Sequence, residues 1–233
     1  MRPALSSELY ANCVAAFPEV SLFERIDHVG VKYSLSEKFA ARNYHRIIRD
    51  SPVWRELHRW VKSDAFIVST LAALRTRGVD LGFDEVRVPW RRRIKRAVRD
   101  ITRGRSVRHS PELSARFEFS MLPADGGCIM PHTDNPEKIV TLVLSMCAEG
   151  EWSANYGGAT EMQKPKDETL LFDQRNDRAL DFSAMETLSS YPYVPNQALL
   201  FVKTFNSWHA VQPMRGPAGG VMRKTLTINI EAR

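Results

Sequence analysis

The second half of the chain is a series of short apolar segments separated by turn residues, and this feature constrains the fold most. Pro, Gly and Asn lie between the segments, and no segment with helical periodicity intervenes. Many short strands with such turn signals are typical of an antiparallel sandwich or jelly roll. The sequence predicts strands at 116–122, 128–130, 138–146, 158–163, 168–172, 197–203, 207–214 and 222–231.

The first part of the chain, to about Gly78, has the pattern of helices. Ser51-Pro52 combines a capping serine with proline at the first helical position. Trp54, Leu57 and Val61 follow at helical spacing. Further helices are predicted over 8–17, over 37–48 with Ser36 as the cap, and over 63–77; a strand is predicted over 79–88. The predicted organisation is a helical part, 1–112, packed on a β-barrel, 113–233.

Composition excludes several classes of protein. The 233 residues suit one large domain or a domain with a helical extension. Three cysteines, odd in number and widely spaced, predict neither a disulfide framework nor a cysteine metal cluster, which fits a cytoplasmic protein. No apolar run is long enough for a bilayer, and the N-terminus lacks the apolar core of a secretory signal. The sequence does not indicate the oligomeric state.

A basic stretch lies between the two parts, over 87–108, where Asp100 is the only acid. Lysine and arginine at this density can bind phosphate backbones. The alternative is a solvated helix face whose arginine stems cover apolar surface. No stacking aromatics interleave with the charges as a single-strand groove requires. A nucleic-acid partner is therefore allowed but not favoured.

Two short motifs carry candidate metal ligands. In Pro131-His132-Thr133-Asp134 the two ligand-type residues are separated by one position, so in a β-strand they share a face. A second imidazole, His209 in 206–211, would complete a two-histidine, one-carboxylate site. Such a site leaves metal positions open and suits non-haem Fe(II) that reacts with oxygen.

The last two predicted strands suggest an anion site beside the metal. If 207–214 and 222–231 form a hairpin, His209 faces Thr225, and Arg223 is its diagonal neighbour. A guanidinium and a hydroxyl inside a barrel suit a carboxylate. The alternative for Arg223 is a surface arginine at a strand start. The other side of the last strand carries Leu226, Ile228 and Ile230, which the N-terminal helices would cover.

Taken together, these residues resemble the Fe(II)- and 2-oxoglutarate-dependent dioxygenase superfamily from about Arg116 onward. The order and spacing of the motifs match as well as their identity. Within the superfamily the chain most resembles the prolyl-4-hydroxylase-like branch, in which the Trp-to-Gly-Gly segment recurs. The matching pieces are His132-Thr133-Asp134, Trp152 with Gly157-Gly158, 197–201, 206–211 and Arg223-Lys224-Thr225.

The resemblance implies a double-stranded β-helix, a form of jelly roll related to the cupins, covered by the N-terminal helices. It implies that the metal ligands and catalytic residues are His132, Asp134 and His209, which hold Fe(II). It also implies that Arg223 and Thr225 bind the co-substrate 2-oxoglutarate, with O2 as oxidant and ascorbate as a candidate reductant. The carboxylate of Asp134 predicts hydroxylation rather than halogenation; desaturation and ring closure stay open.

The chain also departs from family patterns. The prolyl-4-hydroxylase-like branch often has lysine where this chain has Arg223. Arg215, in a somewhat long loop, is a rival for the co-substrate carboxylate. Nucleic-acid repair demethylases carry a second arginine six residues after the first, and here that position is Asn229. This difference weakens a base-repair interpretation.

Three functions are therefore weighed. The first is hydroxylation of an unactivated C–H bond of a small molecule (an amino acid, natural-product intermediate or sugar), giving succinate and CO2. The second is a dioxygenase acting on a protein side chain or RNA docked through 91–105. The third is a barrel that binds ligands without catalysis. Segment 173–193 is predicted to be a loop or lid near the site. Its candidate substrate contacts are Arg175, Asn176, Asp177 and Arg178.

Overall fold

A computed structural model of the protein describes residues 3–27, 30–83, 86–87, 90–102, 112–173 and 179–232. The helices are α1 Ser7–Ala15, α2 Ala41–Asp50, α3 Pro52–Val61, α4 Asp64–Arg75 and α5 Trp90–Thr102. The strands are β1 Glu24–Ile26, β2 Lys32–Ser36, β3 Leu113–Pro123, β4 Ile129–His132, β5 Lys138–Ser145, β6 Thr160–Pro165, β7 Met185–Tyr191, β8 Ala198–Val202, β9 Trp208–Val211 and β10 Met222–Ala232.

The strands form two antiparallel sheets. One has six strands in the order β1-β2-β3-β10-β5-β8, and the other has four in the order β4-β9-β6-β7. Strands that follow one another in the chain between β3 and β6 alternate between the sheets, as in a jelly roll. The predicted fold, mostly β with a jelly-roll core and a helical extension, is confirmed.

The helix signals were only partly correct. Helix α3 begins at Pro52 as predicted, and α4 follows Ser63, whose hydroxyl accepts a hydrogen bond from the Phe66 backbone N–H at 3.3 Å. Ser36 does not cap a helix, because it ends β2 and its hydroxyl accepts from the turn that follows, at 3.3 Å from the Phe39 backbone nitrogen. Helix α2 begins only at Ala41.

Several strand predictions were wrong or missing. Segment 168–172 contains a short 3-10 helix, Glu168–Leu170, because the Asp167 carboxylate accepts from the Thr169 backbone N–H at 2.9 Å. No strand is present over 79–83. Strands β1, β2 and β7 were not predicted. Since β1 and β2 belong to the six-stranded sheet, the N-terminal part contributes strands as well as helices; the division into 1–112 and 113–233 stays a prediction.

The main hydrophobic core lies between the helices and the outer face of the six-stranded sheet. Leu226, Ile228 and Ile230 of β10 belong to the same buried cluster as Trp54 of α3. The Trp54 ring packs edge-on against Phe119 of β3, with 4.8 Å between ring centroids. The predicted cover of this apolar row by the N-terminal helices is confirmed.

Helix α5 carries most of the described basic stretch. Its exposed side chains include four cations together with Ile94, Val98 and Ile101. Arg103 and Arg105 lie outside the described residues. None of the helices that the structure describes has the length and apolarity needed to cross a bilayer. The exposed cations are Arg91, Arg92, Lys95 and Arg99.

Candidate active site

Strands β4 and β9 bring the three candidate ligands together. The strands are antiparallel neighbours in the four-stranded sheet, and His132 pairs directly with His209. Asp134 follows two residues after His132 and is buried. One ligand atom from each of the three side chains lies within 4.8 Å of the others. The structure therefore places two imidazoles and one carboxylate around a common point.

Both imidazoles are oriented by backbone carbonyls. Nδ1 of His132 is 2.8 Å from the Met130 carbonyl oxygen, and Nδ1 of His209 is 3.0 Å from that of Ser207. A carbonyl only accepts, so each Nδ1 carries the proton and each Nε2 presents a lone pair. Desolvation and the neighbouring His209 ring lower the pKa of His132 to about 3. Burial also lowers the pKa of His209, so both rings are neutral at pH 7.

The Asp134 carboxylate is held ionised by its neighbours. Burial acts to raise its pKa, but the ammonium of Lys138, with which it forms an ion pair, and the two imidazoles outweigh burial and hold the pKa well below its usual range. The Thr141 hydroxyl donates to Oδ2 at 2.9 Å. The same Oδ2 is 3.9 Å from His209 Nε2. This oxygen is therefore the one that faces the second imidazole.

Asn229 fixes the direction of the Thr141 hydroxyl. A hydroxyl has one proton, yet Thr141 Oγ1 lies 3.0 Å from the Asn229 side-chain amide as well. The structure turns Oδ1 of Asn229 toward Thr141, which leaves Nδ2 buried with no partner among the described residues. With the amide turned the other way, Nδ2 donates to Thr141 and Thr141 donates to Asp134. We assign this orientation because it satisfies both donors.

Arg223 forms the candidate anion site. It is 4% exposed, and it reaches from the six-stranded sheet to the four-stranded sheet. Its Nε donates to the Gly158 carbonyl at 2.7 Å and its Nη2 to the Thr160 hydroxyl at 3.1 Å. Nη1 makes no hydrogen bond within the described part of the chain. Burial lowers the pKa of Arg223 to about 10, so the guanidinium stays charged at pH 7.

Two features of the surroundings shape this anion site. The Arg223 guanidinium lies over the Tyr193 ring, 4.8 Å from its centroid. At Gly158, with φ of +84°, a Cβ would lie 3.2 Å from Arg223 Cδ and 3.1 Å from the Trp152 ring. Glycine is therefore required both by the backbone conformation and by the close approach of these side chains. The Trp-to-Gly-Gly segment thus supports Arg223.

The predicted hairpin between the last two strands is wrong. Strand β9 pairs with β4 and β6, whereas β10 pairs with β3 and β5 in the other sheet. His209 therefore does not face Thr225, which is paired with Ser120 and Ser145. Arg223 nevertheless approaches the site, because its partner Thr160 is two residues from Met162, the β6 neighbour of His209.

Thr225 and Arg215, two further residues of the predicted site, differ in burial. Thr225 is buried on the same side of β10 as Arg223, since the two are separated by one residue. Arg215 is exposed, so it lacks the buried setting of Arg223. Arg175, Asn176, Asp177 and Arg178 lie outside the described residues. Of the rest of segment 173–193, predicted to be a loop, Met185–Tyr191 forms strand β7.

Sequence reasoning missed the residues that support the predicted ones. Lys138 and Thr141 lie on β5, whose mostly apolar sequence indicated a strand but no functional side chain. Thr160 and Tyr193 are distant from Arg223 in sequence, and no local pattern connects them to it. The spacing of Asp134 and Lys138, an acid and a base four residues apart, was the available signal for that ion pair.

No protein-family model matches the chain, and no curated protein matches its sequence. Among solved structures, the crystal structure of a Pseudomonas putida prolyl-4-hydroxylase aligns with a TM-score of 0.50 and 14% identity, covering 100% of this chain and 91% of that one. The chain has the fold of that hydroxylase. The similarity extends over the helical part too, whereas the sequence resemblance began near Arg116.

A second solved structure is similar over nearly the same length. It is a prolyl hydroxylase from Trichoplax adhaerens in complex with a peptide fragment of the hypoxia inducible factor oxygen degradation domain. Its TM-score is 0.48, with 11% identity and coverage of 99% of this chain and 81% of that one. The likeness to the Pseudomonas putida hydroxylase, at 14% identity, shows the fold alone, and the chemistry has to be argued from the side chains.

Proposed function

We propose that the protein is an Fe(II)- and 2-oxoglutarate-dependent dioxygenase that hydroxylates an unactivated C–H bond of a small molecule. One observation carries this proposal. His132, Asp134 and His209 converge within 4.8 Å, and the buried guanidinium of Arg223 reaches the same sheet. A ligand-binding barrel without chemistry would need only one of these two features.

The donor set fits ferrous iron. Two neutral imidazoles that present Nε2 and one ionised carboxylate are the ligands of a facial two-histidine, one-carboxylate site, which leaves positions for other ligands. Both Nδ1 groups are held by carbonyls, so the rings are already oriented for coordination. When bound, Fe(II) with 2-oxoglutarate and O2 supplies the oxidation of a C–H bond, with succinate and CO2 as by-products.

The protein's own groups bind and orient. Lys138 helps to keep the Asp134 carboxylate ionised, and the Thr141 hydroxyl fixes its rotation. Arg223, with a buried guanidinium whose Nη1 is unoccupied in the described part of the chain, is suited to the far carboxylate of 2-oxoglutarate, because an anion offsets the cost of burying its charge. Thr225, which is buried on the same side of β10, would donate a hydrogen bond to the same carboxylate.

A macromolecular substrate is the second candidate, and helix α5 favours it. Arg91, Arg92, Lys95 and Arg99 are exposed on this helix. Binding of RNA that weakens steeply with salt and is lost in an Arg91→Ala, Arg92→Ala, Lys95→Ala variant would support a docking role. If RNA does not bind, or if it binds the variant as tightly as the wild type, the small-molecule function remains the proposal.

The cysteines described are all free, which fits the proposed cytoplasmic location.

The test is formation of succinate from 2-oxoglutarate with Fe(II) and O2, measured by mass spectrometry. We expect succinate from the wild type, and a product that gains one oxygen when a metabolite pool is added. Both should disappear in His132→Ala. His45, an exposed histidine on α2, provides the matched control, since His45→Ala should retain both. No succinate from the folded, iron-loaded wild type would overturn the proposal.

A further inference from the structure

Strand β8 connects the anion site, the metal site and a lysine that the proposed function leaves unused. Leu199 lies in the same pocket as Arg223. The Phe201 ring lies against His209, with 4.8 Å between ring centroids. Lys203 is the first residue after β8, and its backbone N–H continues the strand pairing by donating to the Ile139 carbonyl at 3.0 Å. Alternate strand residues share a face, so Lys203 lies on the same side as Phe201. The candidate metal site therefore lies between Arg223 and Lys203.

The ammonium of Lys203 is shielded from solvent and poorly satisfied. Its Nζ is buried and has no hydrogen-bond partner among the described residues. Its contact is with the face of the Phe205 ring, 4.5 Å from the centroid. Such a contact contributes less than the hydration that a buried ammonium loses. An anion at Nζ would offset this cost.

The nearby acids are already engaged. Asp134 and Asp173 are the two carboxylates that act on Lys203 electrostatically, while burial and Lys138 lower its pKa. Asp134 is paired with Lys138 and would be shared with the metal ion. Asp173 accepts a hydrogen bond from Thr133 at 3.3 Å. Neither carboxylate is hydrogen-bonded to Lys203.

The net charge of the site with metal and co-substrate bound also favours an anionic ligand at Lys203. Arg223 would be neutralised by the far carboxylate of 2-oxoglutarate, and Lys138 shares Asp134 with a dication. With metal and co-substrate bound, Fe(II), Arg223, Lys138 and Lys203 would carry five positive charges together, against four negative charges on Asp134, Asp173 and the two carboxylates of 2-oxoglutarate. A site with excess positive charge attracts and selects an anionic ligand.

We propose that the primary substrate carries an anionic group, a carboxylate or a phosphate, that accepts a hydrogen bond from Lys203 on the side of the metal site away from Arg223. This inference rests on the proposed function. Phe201 and Lys203 are two residues apart, which is about 7 Å along a strand. At this spacing the oxidised C–H bond and the anionic group are close enough to belong to one small molecule.

The first experiment uses matched pairs of probes. Amino acids are compared with their C-terminal amides, and sugars with their phosphate esters, by the succinate formed above the level without substrate. We expect an anionic member to be preferred over its neutral partner by at least about ten-fold in kcat/KM. A response to the amino acid pairs identifies a carboxylate as the anionic group, and a response to the sugar pairs identifies a phosphate. Equal responses, a preference for neutral members, or no response from any pair would overturn the inference.

The second experiment compares variants on the responding pair. Lys203→Met should lose the preference for the anion, and Lys203→Arg should retain it because the charge is kept. Lys38 is exposed in the turn before α2, and Lys38→Met is the control for removal of a lysine charge. A Lys203→Met variant that keeps the full preference contradicts the inference. If this variant does not fold, the wild-type pairs and Lys203→Arg still decide.

Calorimetry gives a readout that does not depend on turnover. The protein is loaded with Zn(II) and 2-oxoglutarate, and the acid and its amide are titrated in turn. Lys203→Met should raise the Kd of the acid by at least about ten-fold and leave that of the amide unchanged. Equal weakening of both ligands would indicate a merely structural role and would count against the inference.

Different results would contradict the proposed function and the role of Lys203. Succinate formation without a primary substrate, and its dependence on His132, tests the proposed function alone. If that activity is present but the preference for anions is absent, the role of Lys203 is wrong and the proposed function stands. If no metal-dependent succinate is formed at all, the proposed function itself fails.

Discussion

Strand β10 carries buried residues of opposite chemistry on its two faces. The outer face presents Leu226 and Ile230, which pack against the helices. The inner face presents Arg223, Thr225 and Asn229, each at most 4% exposed. Buried apolar area stabilises the fold, whereas a buried guanidinium or amide at best offsets its own desolvation. The comparison supports the proposal that the inner residues bind or position ligands rather than stabilise the fold.

The largest expected effect concerns His209 of β9, in the sheet opposite β10, and leaves the fold intact. His209→Ala should lower the rate of succinate formation by at least about a thousand-fold, roughly 4 kcal/mol of activation free energy, because a proposed metal ligand is removed. Its thermal midpoint without metal should stay within a few degrees of the wild type, which calorimetry can measure. A variant that unfolds, or one that keeps full activity, would break the comparison.

On the outer face of β10 we expect a substitution to lower stability and to leave the candidate metal site intact. Leu226→Ala leaves a cavity beneath the helices and should lower the free energy of unfolding by about 2–5 kcal/mol, measured by denaturant titration. Metal affinity below the unfolding transition should be close to that of the wild type. A loss of less than about 1 kcal/mol would show that this face contributes little to folding.

Glu118 of β3 belongs to a charge network that should make the stability of the fold depend on pH. Burial acts to raise the pKa of Glu118, but Lys32 and Arg116 outweigh it and lower the pKa to about 2. A carboxyl with a lowered folded-state pKa stabilises the protein above its unfolded pKa, and this is lost as pH falls toward 2. The difference in unfolding free energy between wild type and Glu118→Gln should therefore shrink by up to about 3 kcal/mol between pH 5 and 2. A difference that does not change with pH would contradict this prediction.

Arg223 should matter for binding and not for stability. Arg223→Met should raise the KM for 2-oxoglutarate by about a hundred-fold, roughly 3 kcal/mol, because the bidentate partner of a carboxylate is lost. Its unfolding free energy should be unchanged or higher, since a buried charge is removed. The control is Arg215→Met, the exposed rival, which should leave the KM unchanged; the opposite pattern would reassign the anion site.

The smallest expected effect concerns the support of Asp134. Thr141→Val removes the hydroxyl that links Asn229 to the carboxylate and should weaken metal binding by about ten-fold. Asn229→Leu in the Thr141→Val background should add little, because the relay is already broken. Co(II) titration measures both variants. Independent, additive losses would show that the two side chains do not act in series.

The sequence predicted those features of the site and the fold that depend on the spacing of residues close together in the chain. His132 and Asp134 lie two residues apart, and the apolar row from Leu226 to Ile230 alternates regularly, so both could be predicted. Strand pairing could not, because a jelly roll places β9 and β10 in different sheets although they are consecutive in the chain. Strand β7 was missed because its residues are mostly polar and exposed.

The most direct test of the central claim is a crystal structure of the protein with Fe(II) and 2-oxoglutarate, prepared without oxygen, with anomalous scattering at the iron edge. We predict one iron within about 2.0–2.3 Å of Nε2 of His132, Nε2 of His209 and an oxygen of Asp134, with the far carboxylate of 2-oxoglutarate on Arg223. Iron bound elsewhere, or a co-substrate that avoids Arg223, would contradict the account.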